Sequence, residues 1–206
     1  MKKYVHEDCL LGLWEITEDF SSLDNLLDLN SEERATLNSF KSYSRKLEWL
    51  SVRVLLSRMT APGVRIFYNG KRKPFLTDRT FNISISHSNK LTSVLISRKH
   101  RVGIDLEYVS GKIANLSGKF LTPSEENAID KKCWKYHVYI YWCAKEALYK
   151  ICDKQNINFR EDIIIDPFIP GSEGILNGKV YNNTIHEFFT LTYFKYQNYT
   201  IVWCSK

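Results

Sequence analysis

A chain of 206 residues, 44% hydrophobic and 14% aromatic, can bury one large core or two small ones, and its composition excludes a disordered protein. The 29 Lys and Arg against 23 Asp and Glu leave a formal charge of +6. That excess favours anionic partners such as phosphate groups, nucleic acid or an acidic protein, and equally suits a solvated basic surface. No run approaches a membrane span, and the start Met1-Lys2-Lys3 meets polar and acidic residues at once rather than a signal-peptide core. Cys9, Cys133, Cys143, Cys152 and Cys204 are odd in number and lack zinc-ligand spacing. Buried free thiols, a reducing compartment and a cytoplasmic location without a membrane are therefore expected.

In chain order, Leu10 to Ile16 reads as a strand, and Asn30 caps a helix with Glu33 three positions on. Arg45 to Met59 has helical apolar spacing, which Pro62-Gly63 stops. A short strand follows at Val64 to Tyr68, then the turn Asn69-Gly70-Lys71-Arg72-Lys73-Pro74. Residues 81–88 and 91–97 read as two strands joined by a polar turn. Val102 to Glu107 is a buried strand with Asp105 and Glu107 on one face, Ile104 and Leu106 on the other. Thr122-Pro123-Ser124-Glu125 opens a capped helix, and a long helix is predicted from about Trp134 to Cys152. Residues 175–181 read as a hairpin turning on Asn177-Gly178, followed by strands at 188–196 and 200–204.

Sliding the chain by 93 positions reveals an internal repeat. Ser31-Glu32-Glu33 falls on Ser124-Glu125-Glu126, Ala35 on Ala128, Tyr43 on Tyr136, Trp49 on Trp142 and Leu55 on Leu148. The strand at Leu10–Ile16 falls on 103–109. The expected fold is α+β: a pseudo-dimer of two similar halves, 1–100 and 101–206, each a small antiparallel sheet packed with helices, with a cleft between them. The positions matching Asp105, Glu107 and Glu146 are Gly12, Trp14 and Arg53, so only one half carries the acids.

Asp105, Glu107 and Glu146 form a candidate Mg²⁺ site, because that ion takes carboxylate and phosphate oxygens and keeps several waters. The alternative is a surface strand beside an ordinary Glu146–Lys150 helical pair. Ser86 and His87, on a turn or strand end, can meet a phosphate or serve structure alone. Lys71, Arg72 and Lys73 make a phosphate clamp or a solvated loop. Arg45 and Arg53, eight apart, can share one helix face. No Gly-x-Ser-x-Gly elbow surrounds these serines, which argues against a hydrolase nucleophile.

Taken together, Lys73-Pro74-Phe75-Leu76, the 81–88 stretch ending Ser86-His87-Ser88, Gly103-Ile104-Asp105-Leu106-Glu107, and Trp142-Cys143-Ala144-Lys145-Glu146-Ala147-Leu148-Tyr149-Lys150 resemble the 4′-phosphopantetheinyl transferases. They are most similar to the pseudo-dimeric type that activates surfactin synthetase. The resemblance implies transfer of 4′-phosphopantetheine from coenzyme A to a serine of an apo acyl or peptidyl carrier protein. The pathway served (fatty acid, polyketide or non-ribosomal peptide) is left open. It implies Asp105, Glu107 and Glu146 as metal ligands, and Glu146 and Lys150 as catalytic groups. It implies Arg45, Arg53, Lys73, Ser86 and His87 as coenzyme A contacts. The extra Lys71-Arg72 pair departs from the usual Gly-Lys-Pro, leaving open which of the three basic residues meets the nucleotide. The segment from Phe120 into the helix at Pro123 is where the resemblance places the carrier. A monomer is expected, since two halves already make one cleft. The competing expectations are a basic nucleotide- or nucleic-acid-binding module and a magnesium-dependent phosphohydrolase; the aromatics match no nucleic-acid-binding motif.

Overall fold

The computed structural model describes residues 1–6, 8–70, 72–153 and 156–206. Its elements run β1 (Lys2–His6), β2 (Cys9–Glu15), α1 (Phe20–Asp24), α2 (Ser31–Ser39), α3 (Tyr43–Ser57), β3 (Ile66–Tyr68), β4 (Pro74–Leu76), β5 (Asn82–Ser88) and β6 (Leu91–Ser97). They continue with β7 (Val102–Tyr108), α4 (Ser117–Phe120), α5 (Pro123–Asn127), α6 (Trp134–Ile151), β8 (Ile163–Ile165), β9 (Glu173–Tyr181), β10 (His186–Tyr196) and β11 (Tyr199–Ser205). The architecture is α+β, with antiparallel sheets packed against helices. No helix among the described residues is long and apolar enough to cross a membrane.

The described strands form a sheet ordered β1-β2-β6-β5, a second ordered β7-β11-β10-β9-β8, and a small ribbon of β3 and β4. Helix α3 lies on β2 and β6, and α6 lies on β7 and β11. The order β2-β6-β5 beside α3 resembles β7-β11-β10 beside α6, but the 93-residue offset relates only β2 to β7 and α3 to α6, since β11 starts 108 residues after β6. Alternation divides each sheet between two cores. In β2, Trp14 faces the α3 cluster, while Cys9, Leu11 and Leu13 join Ile104, Leu106, Ile201 and Trp203 in a core shared by both sheets. A third cluster fills the space beneath α6.

Local signals account for most boundaries. Asn30 and Thr122 each cap a helix with a reciprocal capping box, through Glu33 and Glu125. All five cysteines are free, and all but the half-buried Cys133 are buried.

The predicted hairpin at Asn177-Gly178 is corrected: both residues lie inside the continuous strand β9, paired with Thr190 and Phe189 of β10. Packing outweighs turn propensity here. A Cβ on Gly178 would stand 2.8 Å from Ile165 Cδ1 and 3.1 Å from the Ile164 carbonyl oxygen, so glycine is required for β8 to lie close. Strands β1 and β8 had no sequence expectation.

Candidate active site

The two sheets meet where their edge strands, β5 and β7, run side by side. They are joined by side chains rather than by a backbone ladder. Alternate serines of β5 accept alternate N–H groups of β7: Ser84 Oγ from Ile104 (3.1 Å), Ser86 Oγ from Leu106 (3.2 Å) and Ser88 Oγ from Tyr108 (3.2 Å). Two of these hydroxyls pass their own proton to a carboxylate. Ser86 donates to Asp105 Oδ1 at 2.8 Å and Ser88 to Glu107 Oε2 at 2.6 Å.

The alternation expected for β7 is observed. Ile104 and Leu106 are in the shared core, while Asp105 and Glu107 look toward α6. Gly103 sets that approach, since a Cβ there would strike the Ala147 carbonyl oxygen on α6. From α6, Lys150 Nζ reaches across the seam. It donates to Asp105 Oδ1 (2.7 Å), Ser86 Oγ (3.2 Å) and the carbonyls of Ile104 (2.9 Å) and Ile85 (3.4 Å).

These groups line one side of a cavity of about 830 Å³ that also holds Glu146. Asp105 Oδ2 is buried and has no hydrogen-bond partner among the described residues. Burial, reinforced by Asp105 and opposed by the Ser88 hydrogen bond, pushes Glu107 up to about 7, with Glu146 adding a smaller repulsion. The carboxylates therefore feel one another's charge. Among the described residues, no three His, Cys, Asp or Glu side chains form a cation cage by themselves.

The opposite wall comes from α3, β5 and the loop before β4: Arg45, Arg53, Arg72, Lys73 and His87 all line the cavity, with Ser86 at the seam. Arg45 Nη1 lies 2.5 Å from His87 Nε2. Guanidinium can only donate, so Nε2 accepts and the ring proton sits on Nδ1, 3.4 Å from Glu48 Oε2. Burial, with help from Arg45 and Lys150 against Glu48, holds the imidazole below its usual range and hence neutral. Glu48 also takes Arg45 Nη1 at 3.1 Å.

Arg53 is only 8% exposed, with its guanidinium 3.2 Å above the Trp49 ring and paired with Glu33 at 3.4 Å. Lys73 is ion-paired with Asp153, just past the end of α6. Of the three basic turn residues, Arg72 and Lys73 line the cavity and Lys71 lies outside the described residues.

The fold thus brings every predicted site residue to one cavity. Glu48, Asp153 and the seam roles of Ser84 and Ser88 had no sequence expectation. The Ser-x-Ser-x-Ser alternation and the three-residue Arg45–Glu48 spacing were the available signals. Phe120, expected near a carrier, is 2% exposed and packs edge-on against Trp142 at 5.0 Å, so its ring is core.

A family model described as the 4′-phosphopantetheinyl transferase superfamily matches residues 101–204, about half of the chain. This chain belongs to the 4′-phosphopantetheinyl transferase superfamily. It is also similar to the 4′-phosphopantetheinyl transferase HetI of Nostoc sp., at 29% identity over 158 residues. That alignment covers 67% of this chain and 66% of HetI, just under two thirds of the relative's length. The segment matched to the superfamily contains Asp105, Glu107, Glu146 and Lys150. The basic wall from Arg45 to His87 precedes it.

Proposed function

We propose that the chain transfers 4′-phosphopantetheine from coenzyme A to a serine hydroxyl of an apo acyl or peptidyl carrier protein, with Mg²⁺, releasing adenosine 3′,5′-bisphosphate. The observation that carries this reading is a single cavity with acids from β7 and α6 on one wall and bases from α3 and β5 on the other, in a chain of this superfamily. On this reading the chain is of the pseudo-dimeric, surfactin-synthetase-activating type, with residues 1–100 and 101–206 as its halves and a monomer as the working state. Buried free thiols support a cytoplasmic setting.

The residues fit a hard cation. Asp105 Oδ2 is buried without a partner among the described residues, Asp105 and Glu146 both add to the repulsion that raises Glu107, and all the candidate ligand atoms are oxygens. An incomplete cage suits Mg²⁺, which binds through one or two carboxylates plus substrate phosphates. Asp105, Glu107 and Glu146 would hold it, and bound there it would offset charge on the pyrophosphate. Arg45, Arg72 and Lys73 bind and orient the nucleotide phosphates, and neutral His87, whose Nε2 accepts from Arg45 and whose one N–H faces Glu48, orients the Arg45 guanidinium. The serine oxygen forms a bond to the pantetheine-side phosphorus as the bond to the bisphosphate oxygen breaks. Glu146, or a water it orients, takes the serine proton, and Lys150 holds the reacting phosphate. Positioning and electrostatic stabilisation supply the rate in such transfers.

Ser86 Oγ already accepts from Leu106 and Lys150 and donates to Asp105, so its hydrogen-bonding capacity is filled within the protein. Its part is to orient Asp105 rather than to donate to a phosphate.

Incubation with Mg²⁺, coenzyme A and several apo carrier proteins, followed by intact mass spectrometry of the carrier, tests the proposal. The expected result is a phosphopantetheine adduct that Glu146→Gln abolishes. No adduct on any carrier would overturn it.

A further inference from the structure

Ser88 has no part in the transfer proposed above beyond its place on the seam. Along β5, Ser84, Ser86 and Ser88 each accept the N–H of the residue twenty positions later. Ser86 and Ser88 donate to the residue nineteen positions later, Asp105 and Glu107, whereas the matching residue for Ser84 is Gly103, which has no side chain to receive a proton. Three identical hydroxyls thus occupy equivalent places on the seam, and two of them end on an acid of the cavity.

A hydroxyl free to rotate orients a carboxylate poorly. The Ser88 hydroxyl is fixed, because the Tyr108 N–H occupies one lone pair and so sets where its proton points. Glu107 is a long side chain at the half-buried end of β7, with several rotamers to lose on ordering. Its neighbour Asp105 is held by both Ser86 and Lys150, whereas among the described residues Glu107 takes its hydrogen bond from Ser88, at 2.6 Å.

We propose that Ser88 is a positioning residue of the site: its backbone-anchored hydroxyl holds the Glu107 carboxylate in the cavity, in the orientation that a divalent cation requires. The inference rests on the metal reading given above. Partners that fix a ligating carboxylate are worth about 10- to 100-fold in metal affinity.

The test is a Mn²⁺ titration of the full chain with saturating coenzyme A and no carrier, read by the electron paramagnetic resonance signal of free Mn²⁺. Ser88→Ala should weaken binding about 10- to 100-fold, Ser88→Thr should restore it, and Ser88→Cys, a weaker donor, should fall between. Ser84→Ala removes the same kind of backbone acceptor but no carboxylate partner, and should leave Mn²⁺ binding within about twofold. With a carrier present, Ser88→Ala should raise the Mg²⁺ concentration for half-maximal rate and leave kcat at saturating Mg²⁺ nearly unchanged. Wild-type affinity in Ser88→Ala, or equal losses in Ser84→Ala and Ser88→Ala, overturns the positioning role while the metal reading stands. Wild-type binding that Asp105→Asn does not diminish overturns the metal reading and this inference with it.

Discussion

Helices α3 and α6 occupy matching places over matching strands, yet the same position on each does opposite work. Arg53 and Glu146 are related by the 93-residue repeat. Arg53 is drawn down against Trp49 and Glu33 on the opposite cavity wall. Glu146 is half-buried on the cavity wall, one helical turn from Lys150. The first unit gathers bases that acids restrain: Arg45 and His87 on its own Glu48, and Lys73 on Asp153 from beyond the end of α6. The second gathers acids and restrains them with hydroxyls and Lys150. A repeated frame thus separates charge by sign across the cavity.

The comparison breaks most readily at the acids. Asp105→Asn should lower kcat for carrier modification at least about 100-fold, because it removes a charge that the transition state uses. An unaltered kcat would deny the second unit its chemical role. Next come the helix seats. Gly103→Ala drives a methyl into the α6 backbone at Ala147 and should cost about 3 kcal/mol in urea denaturation. In the first unit, Gly12→Ala meets the flexible Met59 and Leu55 side chains and should cost about 1 kcal/mol. Equal losses would show that the two helices are seated alike.

A smaller effect sharpens the basic wall. Asp153 has a left-handed backbone (φ 61°), which Asn tolerates, and Asp153→Asn releases Lys73. The KM for coenzyme A should fall about threefold, the scale of a partly exposed ion pair. The smallest effect separates the helix starts, where His137 of α6 matches Ser44 of α3 by the same offset. His137 is fully buried, accepts the Asp130 N–H at 3.0 Å, and is held below its usual range by burial. The unfolded chain takes up that proton near pH 6.5 and the folded protein only at lower pH. Stability from neutral His137 is therefore complete above about pH 6.5 and is lost as pH falls, a slope that His137→Gln should flatten in melts from pH 7.5 to 5.

Much of this was readable in residues alone. The caps at Asn30 and Thr122 led to the right helix starts, and the two-residue spacing of Asp105 and Glu107 to two side chains on one face of β7 that line the same cavity. What escaped depends on neighbours far along the chain. Asn177-Gly178 carries a turn signature, and only the presence of Ile164 and Ile165 against it makes the glycine a packing residue. Ser84, Ser86 and Ser88 look like one polar face of a strand until β7, twenty residues on, lies beside them. The pairing of Lys73 with Asp153 spans 80 residues and follows from no local pattern.

The seam between β5 and β7 has one more consequence. Two sheet edges joined by their main chains would be sealed in a way that no substitution short of proline could adjust. Here the closure is written in three serines and one lysine, so its tightness is open to point mutation. Selection can therefore loosen or tighten the floor of this cavity one hydroxyl at a time, leaving both sheets intact.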